Sequence, residues 1–133
     1  MKKVEHIGIA VKNLKSANAL FSKLLDKNFH KSEKVESAGV TISFFQIGET
    51  KIELLEATNN NSPIAKFIEK RGEGIHHIAF EVENLQEEIN RLENIGFILL
   101  NKEPQKGADN KLICFLHPQN TNDVLIELCQ EIK

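Results

Sequence analysis

Apolar and polar residues alternate from Val4 to Val11, which predicts a β-strand with Glu5, Ile7, Ile9 and Val11 on one face and Val4, His6, Gly8 and Ala10 on the other. The alternation returns at His77, where Ile78, Phe80 and Val82 oppose His77, Ala79 and Glu81. Each strand is followed by an asparagine suited to capping a helix, Asn13 and Asn84, and then by apolar residues at helical spacing. Leu14, Ala17, Leu20, Phe21 and Leu24 form the first stripe; Leu85, Ile89, Leu92 and Ile95 form the second, which Gly96 is placed to end. Further strands are predicted around 29–35, 40–47 and 51–56, with Gly48-Glu49 as the turn between the last two, and around 97–100, 112–116 and 124–129. Between the two sets, Asn59 to Pro63 reads as a loop entering a short helix over about 62–71, with Ser62 as its cap and Pro63 at the favoured first position.

The pattern is a duplication. His6-Ile7-Gly8-Ile9-Ala10-Val11-Lys12-Asn13-Leu14 matches His77-Ile78-Ala79-Phe80-Glu81-Val82-Glu83-Asn84-Leu85, and Thr50-Lys51-Ile52-Glu53-Leu54-Leu55 matches Val124-Leu125-Ile126-Glu127-Leu128-Cys129. The histidines lie 71 positions apart and the glutamates 74, so both travel with one near-constant repeat. Each half reads strand, helix, strands. Module 1 covers about 1–58 and module 2 about 74–133, joined by the linker helix within a single domain spanning 1–133.

Composition narrows the partners. With 41% hydrophobic and 27% charged residues the chain is ordinary globular material. A formal charge of −2, and the absence of Trp and Tyr, leave neither a basic surface nor a stacking groove for nucleic acid. No stretch approaches the roughly 20 apolar residues of a membrane span, and no charged leader precedes the first strand, so a cytoplasmic protein is expected. Cys114 and Cys129 each sit in an apolar strand-like run, which suits reduced core thiols better than a disulfide.

Candidate chemistry follows from alternation. Gly8, Ala10 and Ala79, where a core would carry large aliphatics, keep the faces of His6 and His77 clear and suggest a cavity lined by sheet. Glu53 and Glu127 are embedded in apolar strands, and a carboxylate is almost never buried unless it is paired or bound to a cation. Packed about a pseudo-twofold axis, the modules would bring His6, Glu53, His77 and Glu127 to one cavity. Two nitrogen and two oxygen donors suit a divalent first-row metal with positions left for water or substrate. Any one of these residues alone would pass for a surface or hydrogen-bonded side chain; the joint recurrence argues otherwise. His76 is expected on the opposite face, toward a helix, and His117 at a strand end; His30 has no counterpart in the repeat.

A duplicated strand-helix-strands module with His/Glu/His/Glu at these places resembles the vicinal oxygen chelate superfamily, and the resemblance covers essentially the whole chain. Within that superfamily the chain is most similar to the methylmalonyl-CoA epimerases. The resemblance is carried by Glu5 to Val11, Lys51 to Glu56, Ser62-Pro63-Ile64-Ala65-Lys66-Phe67, Gly74 to Phe80, Phe115-Leu116-His117-Pro118, Val124 to Leu128 and the stretch from Lys102-Glu103-Pro104 to Gly107. It implies an α+β fold of two tandem βαβββ modules forming an eight-stranded, half-open barrel-like sheet around a metal site. It further implies a homodimer that exchanges (2R)- and (2S)-methylmalonyl-CoA on a divalent ion such as Co, Mn, Zn or Ni. Inverting that carbon requires removing its proton and returning one from the other side, with a metal chelating carboxylate and thioester oxygens to stabilise the enolate. Glu36, the acid nearest Gly39, is the candidate base, and Glu127 is the second candidate by analogy with glyoxalase-like sites. Lys102, Lys106 and Lys111 are candidates for the CoA phosphates.

The same fold leaves two competing functions. A lactoylglutathione lyase of the glyoxalase I type shares the four-ligand pattern, but the longer insertions and the Arg set suited to glutathione carboxylates are missing here. A metal-free drug-sequestering protein would have no reason to keep both His and both Glu, and would line its groove with aromatics, which make up only 6% of this chain.

Overall fold

The computed structural model describes residues 1–101 and 103–133. Each half runs strand, helix, then three strands, so the chain is α+β with a twice-used βαβββ order. Two compact units divide it: residues 6–76 form one, and residues 77–133 together with 1–5 form the other.

In the first unit, β1 (Lys3–Ala10) lies parallel to β4 (Thr50–Ala57), which pairs antiparallel with β3 (Val40–Ile47), and β3 pairs antiparallel with β2 (Lys31–Val35). Between β1 and β2, α1 (Leu14–Leu25) starts where the Asn13 side chain accepts a hydrogen bond from the Ser16 N–H at 2.9 Å. This satisfies one of the amides that a helix start leaves without an internal partner. Leu14, Ala17, Phe21 and Leu25 pack with Ile9, Ile52, Val11, Phe45 and Leu54. Leu20 and Leu24, placed in the stripe by spacing alone, are 62% and 70% exposed. At about 100° per residue they sit to one side of the line through 14, 17, 21 and 25, and the sheet meets only that line. The linker helix α2 (Pro63–Arg71) begins as expected, Ser62 Oγ accepting from the Ile64 N–H at 3.1 Å.

In the second unit, β5 (Gly74–Glu81) is parallel to β8 (Ile126–Glu131), which pairs antiparallel with β7 (Lys111–Phe115). Helix α3 (Leu85–Asn94) is capped by Asn84, whose side chain accepts from the Glu87 N–H at 3.0 Å. Its Leu85, Ile89 and Leu92 join Val82, Cys114, Leu116 and Leu128 in the core, while Ile95, at the helix end, is exposed.

One expected strand is different. Residues 97–100 do not form a strand: Leu99 makes a single bridge to Leu116, and the paired edge is a two-residue strand, β6 (Gln105–Lys106), on Ile113 and Leu112. The ladder is interrupted at Asn101, whose side-chain carbonyl takes the N–H of Phe115 at 3.1 Å, and at Pro104, which has no N–H to give.

Candidate metal and acid-base site

Register decides which side chains share a face. In the first unit Gly8 pairs with Glu53 and Ala10 with Leu55, and Glu53 and Leu55 pair with Phe44 and Ile42. Opposed residues project to the same side, so His6, Glu53, Phe44, Ile42 and Leu55 share one face, while Ile9, Val11, Ile52, Leu54 and Phe45 face α1. On that shared face His6 Nδ1 lies 3.1 Å from Glu53 Oε2, with both side chains buried. In the second unit Ala79 pairs with Glu127, which pairs with Phe115. There His77 Nε2 lies 3.4 Å from Glu127 Oε1, again buried, and the His77 ring meets Phe115 edge-on at 5.9 Å. The duplication therefore yields one buried imidazole–carboxylate pair in each unit, and in each the residue beside the carboxylate is small, Gly8 or Ala79.

A carboxylate and an imidazole held together out of water have two ways to be satisfied: as a proton-sharing pair, or as joint ligands of a cation. The nitrogen and oxygen donors are of the right kind for a divalent first-row metal, and their placement on regular strands gives it rigid support.

Sequence reasoning missed Glu5, which is 2% exposed. Alternation assigned it to the packing face with Ile7, but Glu5 and His6 are buried in succession. The rule that singled out Glu53, a carboxylate inside an apolar strand, was the signal available for Glu5.

Acidic surroundings show in the second unit's thiols. Burial first, then the charge of Glu127, pushes Cys114 up to about 12. Cys129 is driven higher still by burial and by Glu127, Glu5 and Glu81, against a lowering by Lys111. Both thiols remain protonated and serve as core residues.

The remaining sequence candidates separate. Glu36 opens a 3₁₀ turn (Glu36–Ala38); its carboxylate is 81% exposed and lies 3.2 Å from Lys34 Nζ. Lys111 is buried, and its Nζ lies 3.6 Å from Oε1 of the exposed Glu131. Lys106 is exposed on β6, and Lys102 lies outside the described residues. His76 packs edge-on against Phe67 of α2 at 5.0 Å, toward a helix as expected; burial and then Arg71 lower it to about 4. The Nδ1 of His117 accepts from the Gln119 N–H at 3.1 Å as the cap of a second short turn. A cavity of about 370 Å³ in the first unit, lined by Ile9, Val11, Ala17, Phe21 and Glu73 among others, lies against α1.

The sequence profile described as the Glyoxalase/Bleomycin resistance protein/Dioxygenase superfamily matches residues 5–115. The ethylmalonyl-CoA/methylmalonyl-CoA epimerase of Cereibacter sphaeroides is 39% identical over 130 residues, 96% of this chain and 97% of that protein. An uncharacterized protein of Bacillus subtilis is 41% identical, covering 98% of this chain and 93% of its own length. Among solved structures, a methylmalonyl-CoA epimerase in complex with methylmalonyl-CoA and NH4+ superposes with a TM-score of 0.94 at 30% identity, over 98% of this chain and 95% of that one.

Proposed function

From the premise that the chain belongs to the glyoxalase/bleomycin resistance protein/dioxygenase superfamily, we propose that it is a methylmalonyl-CoA epimerase, interconverting the (2R) and (2S) thioesters by moving the C2 proton. The observation that carries the reading is the matched pair of buried contacts, His6 with Glu53 and His77 with Glu127, each at the same place in its βαβββ module. Relatives named as epimerases, similar over nearly their full length, supply the substrate class.

In this reading His6, Glu53, His77 and Glu127 together hold one divalent ion, drawn from Co, Mn, Zn or Ni. Bound there, the ion supplies Lewis acidity to the oxygens on which negative charge develops when C2 loses its proton. The protein's own part is to hold those four donors on strands, to keep Gly8 and Ala79 beside the carboxylates so that nothing crowds them, and to move the proton. Glu127 is one proton-transfer group on this account, and the exposed Lys106 is a contact for CoA phosphate. The protein is further proposed to act as a homodimer in the cytoplasm, where Cys114 and Cys129 stay reduced. No helix among the described residues is long and apolar enough to cross a membrane.

Metal-loaded protein incubated with methylmalonyl-CoA in heavy water should exchange the C2 proton for deuterium, read by NMR. If no exchange occurs with any of the four metals while the methylglyoxal–glutathione adduct is turned over, the chain is a glyoxalase-type isomerase instead.

A further inference from the structure

Inversion at carbon needs proton-transfer groups on both sides of the reacting centre, and the sequence offered Glu36 for one of them. Register points elsewhere. On β2, Lys31, Glu33 and Val35 pair with Phe44, Ile42 and Val40 of β3, and Phe44 and Ile42 pair in turn with Glu53 and Leu55 of β4. Glu33 therefore stands on the face that carries His6 and Glu53. Lys34, which draws the Glu36 carboxylate to itself, is one residue on and so belongs to the other face.

From Glu33 to Glu53 is two strand spacings across and two residues along, roughly 12 Å between Cα atoms. The floor between them is Phe44, Ile42 and Leu55, all buried. A small acyl group laid on that floor would lie between the two glutamates. The Glu33 side chain is 35% exposed, so a substrate can reach it. Its orientation is held by Lys31, whose Nζ lies 3.7 Å from Glu33 Oε1 and 5.0 Å from the centre of the Phe44 ring.

We infer that Glu33, and not Glu36, is a proton-transfer residue of the reaction, acting on C2 of the acyl group from the β2 side. The inference rests on the epimerase reading. As the C2–H bond breaks, a Glu33 carboxylate oxygen forms an O–H bond and the C–H electron pair passes into the adjacent thioester carbonyl as an enolate. A proton delivered to the other face of C2 by the second group, Glu127 in the reading above, completes inversion. In the reverse direction Glu33 returns its proton to C2, so nothing is oxidised or reduced.

The test supplies (2R)- and (2S)-methylmalonyl-CoA separately, in heavy water, to the metal-loaded full chain and to its Glu33→Gln, Glu33→Asp and Glu36→Gln variants. Wild type should exchange C2 of both epimers. Glu33→Gln should lose at least about a hundredfold in epimerisation and exchange only one epimer, because the second group still removes and returns its own proton; its metal content should be unchanged. Glu33→Asp should recover part of the lost rate, and Glu36→Gln should fall less than Glu33→Gln and keep exchange of both epimers. Equal loss for the two epimers, retained inversion in Glu33→Gln, or one-sided exchange in Glu36→Gln overturns the assignment while leaving the epimerase intact. A wild type that exchanges neither epimer overturns the epimerase reading, and this inference with it.

Discussion

Glu56 Oε1 accepts a hydrogen bond from the backbone N–H of Leu14, the first residue of α1. Its counterpart in the second module is Gln130, whose Oε1 accepts from the N–H of Leu85, the first residue of α3, at 2.6 Å. Glu56 and Gln130 each follow a proposed ligand, Glu53 or Glu127, by three residues on the same strand, and so project to the opposite side. The strand that presents a carboxylate to the site thus fixes the start of its module's helix from its other face.

Replacing Glu56 with alanine removes an acceptor from an amide that has no helical partner, and a negative charge from the positive end of α1. The expected cost is about 1–2 kcal/mol. Gln130→Ala, which loses the acceptor without a charge, should cost about 1 kcal/mol. Urea unfolding checks both, and the Glu56 effect should shrink with added salt as its charge is screened. If neither midpoint moves, these contacts do not support the helices.

His77→Ala should leave purified protein with most of its metal gone, as read by elemental analysis after gel filtration. Removing the imidazole takes away one donor and leaves Glu127 buried beside an empty space, a situation worth about 3–5 kcal/mol when a buried pair is broken. The variant should therefore also unfold at lower denaturant than metal-free wild type. Wild-type protein should gain about 2.7 kcal/mol of stability at a metal concentration a hundred times its dissociation constant, and lose it to a chelator. Unchanged metal content in the variant would remove His77 from the ligand set.

Features set by local rules were legible in the sequence. Asn13, Asn84 and Ser62 cap the helices they were expected to cap, because a cap needs only its own next few residues. The His6–Glu53 and His77–Glu127 contacts were legible for another reason: duplication printed the same strand pattern twice, so each copy checked the other. Register and packing were harder, since both depend on partners far along the chain. Glu33 and Glu36 look alike in sequence, and only the pairing of β2 with β3 separates them. Sequence offers Lys111 as a CoA-phosphate contact, and nothing local to it foretells that β8 sets Glu131 beside it. The run 97–100 has strand-like residues, but it is met at one bridge only, by Leu116 just past the end of β7.

Cys114 is paired in register with Leu128, while Cys129 is paired with Ile113, so the two thiols project to opposite faces of β7 and β8 and do not form a disulfide with each other. Both side chains are fully buried. Iodoacetamide should therefore label neither residue in the folded protein and both in denaturant, as read by intact mass. An ordinary thiol labels faster as pH rises through its usual value near 9, because the thiolate is the nucleophile. With Cys114 pushed up to about 12, the folded protein should show no such rise between pH 7 and 9. The sign of the stability effect follows. The folded state favours the neutral thiol, so this contribution is complete below the unfolded value near 9. It is lost as pH climbs from there toward about 12, by up to about 4 kcal/mol for Cys114. Labelling of the native protein at pH 8 as fast as that of the unfolded chain would show that the second unit opens around β7, and that its core is not the closed one described.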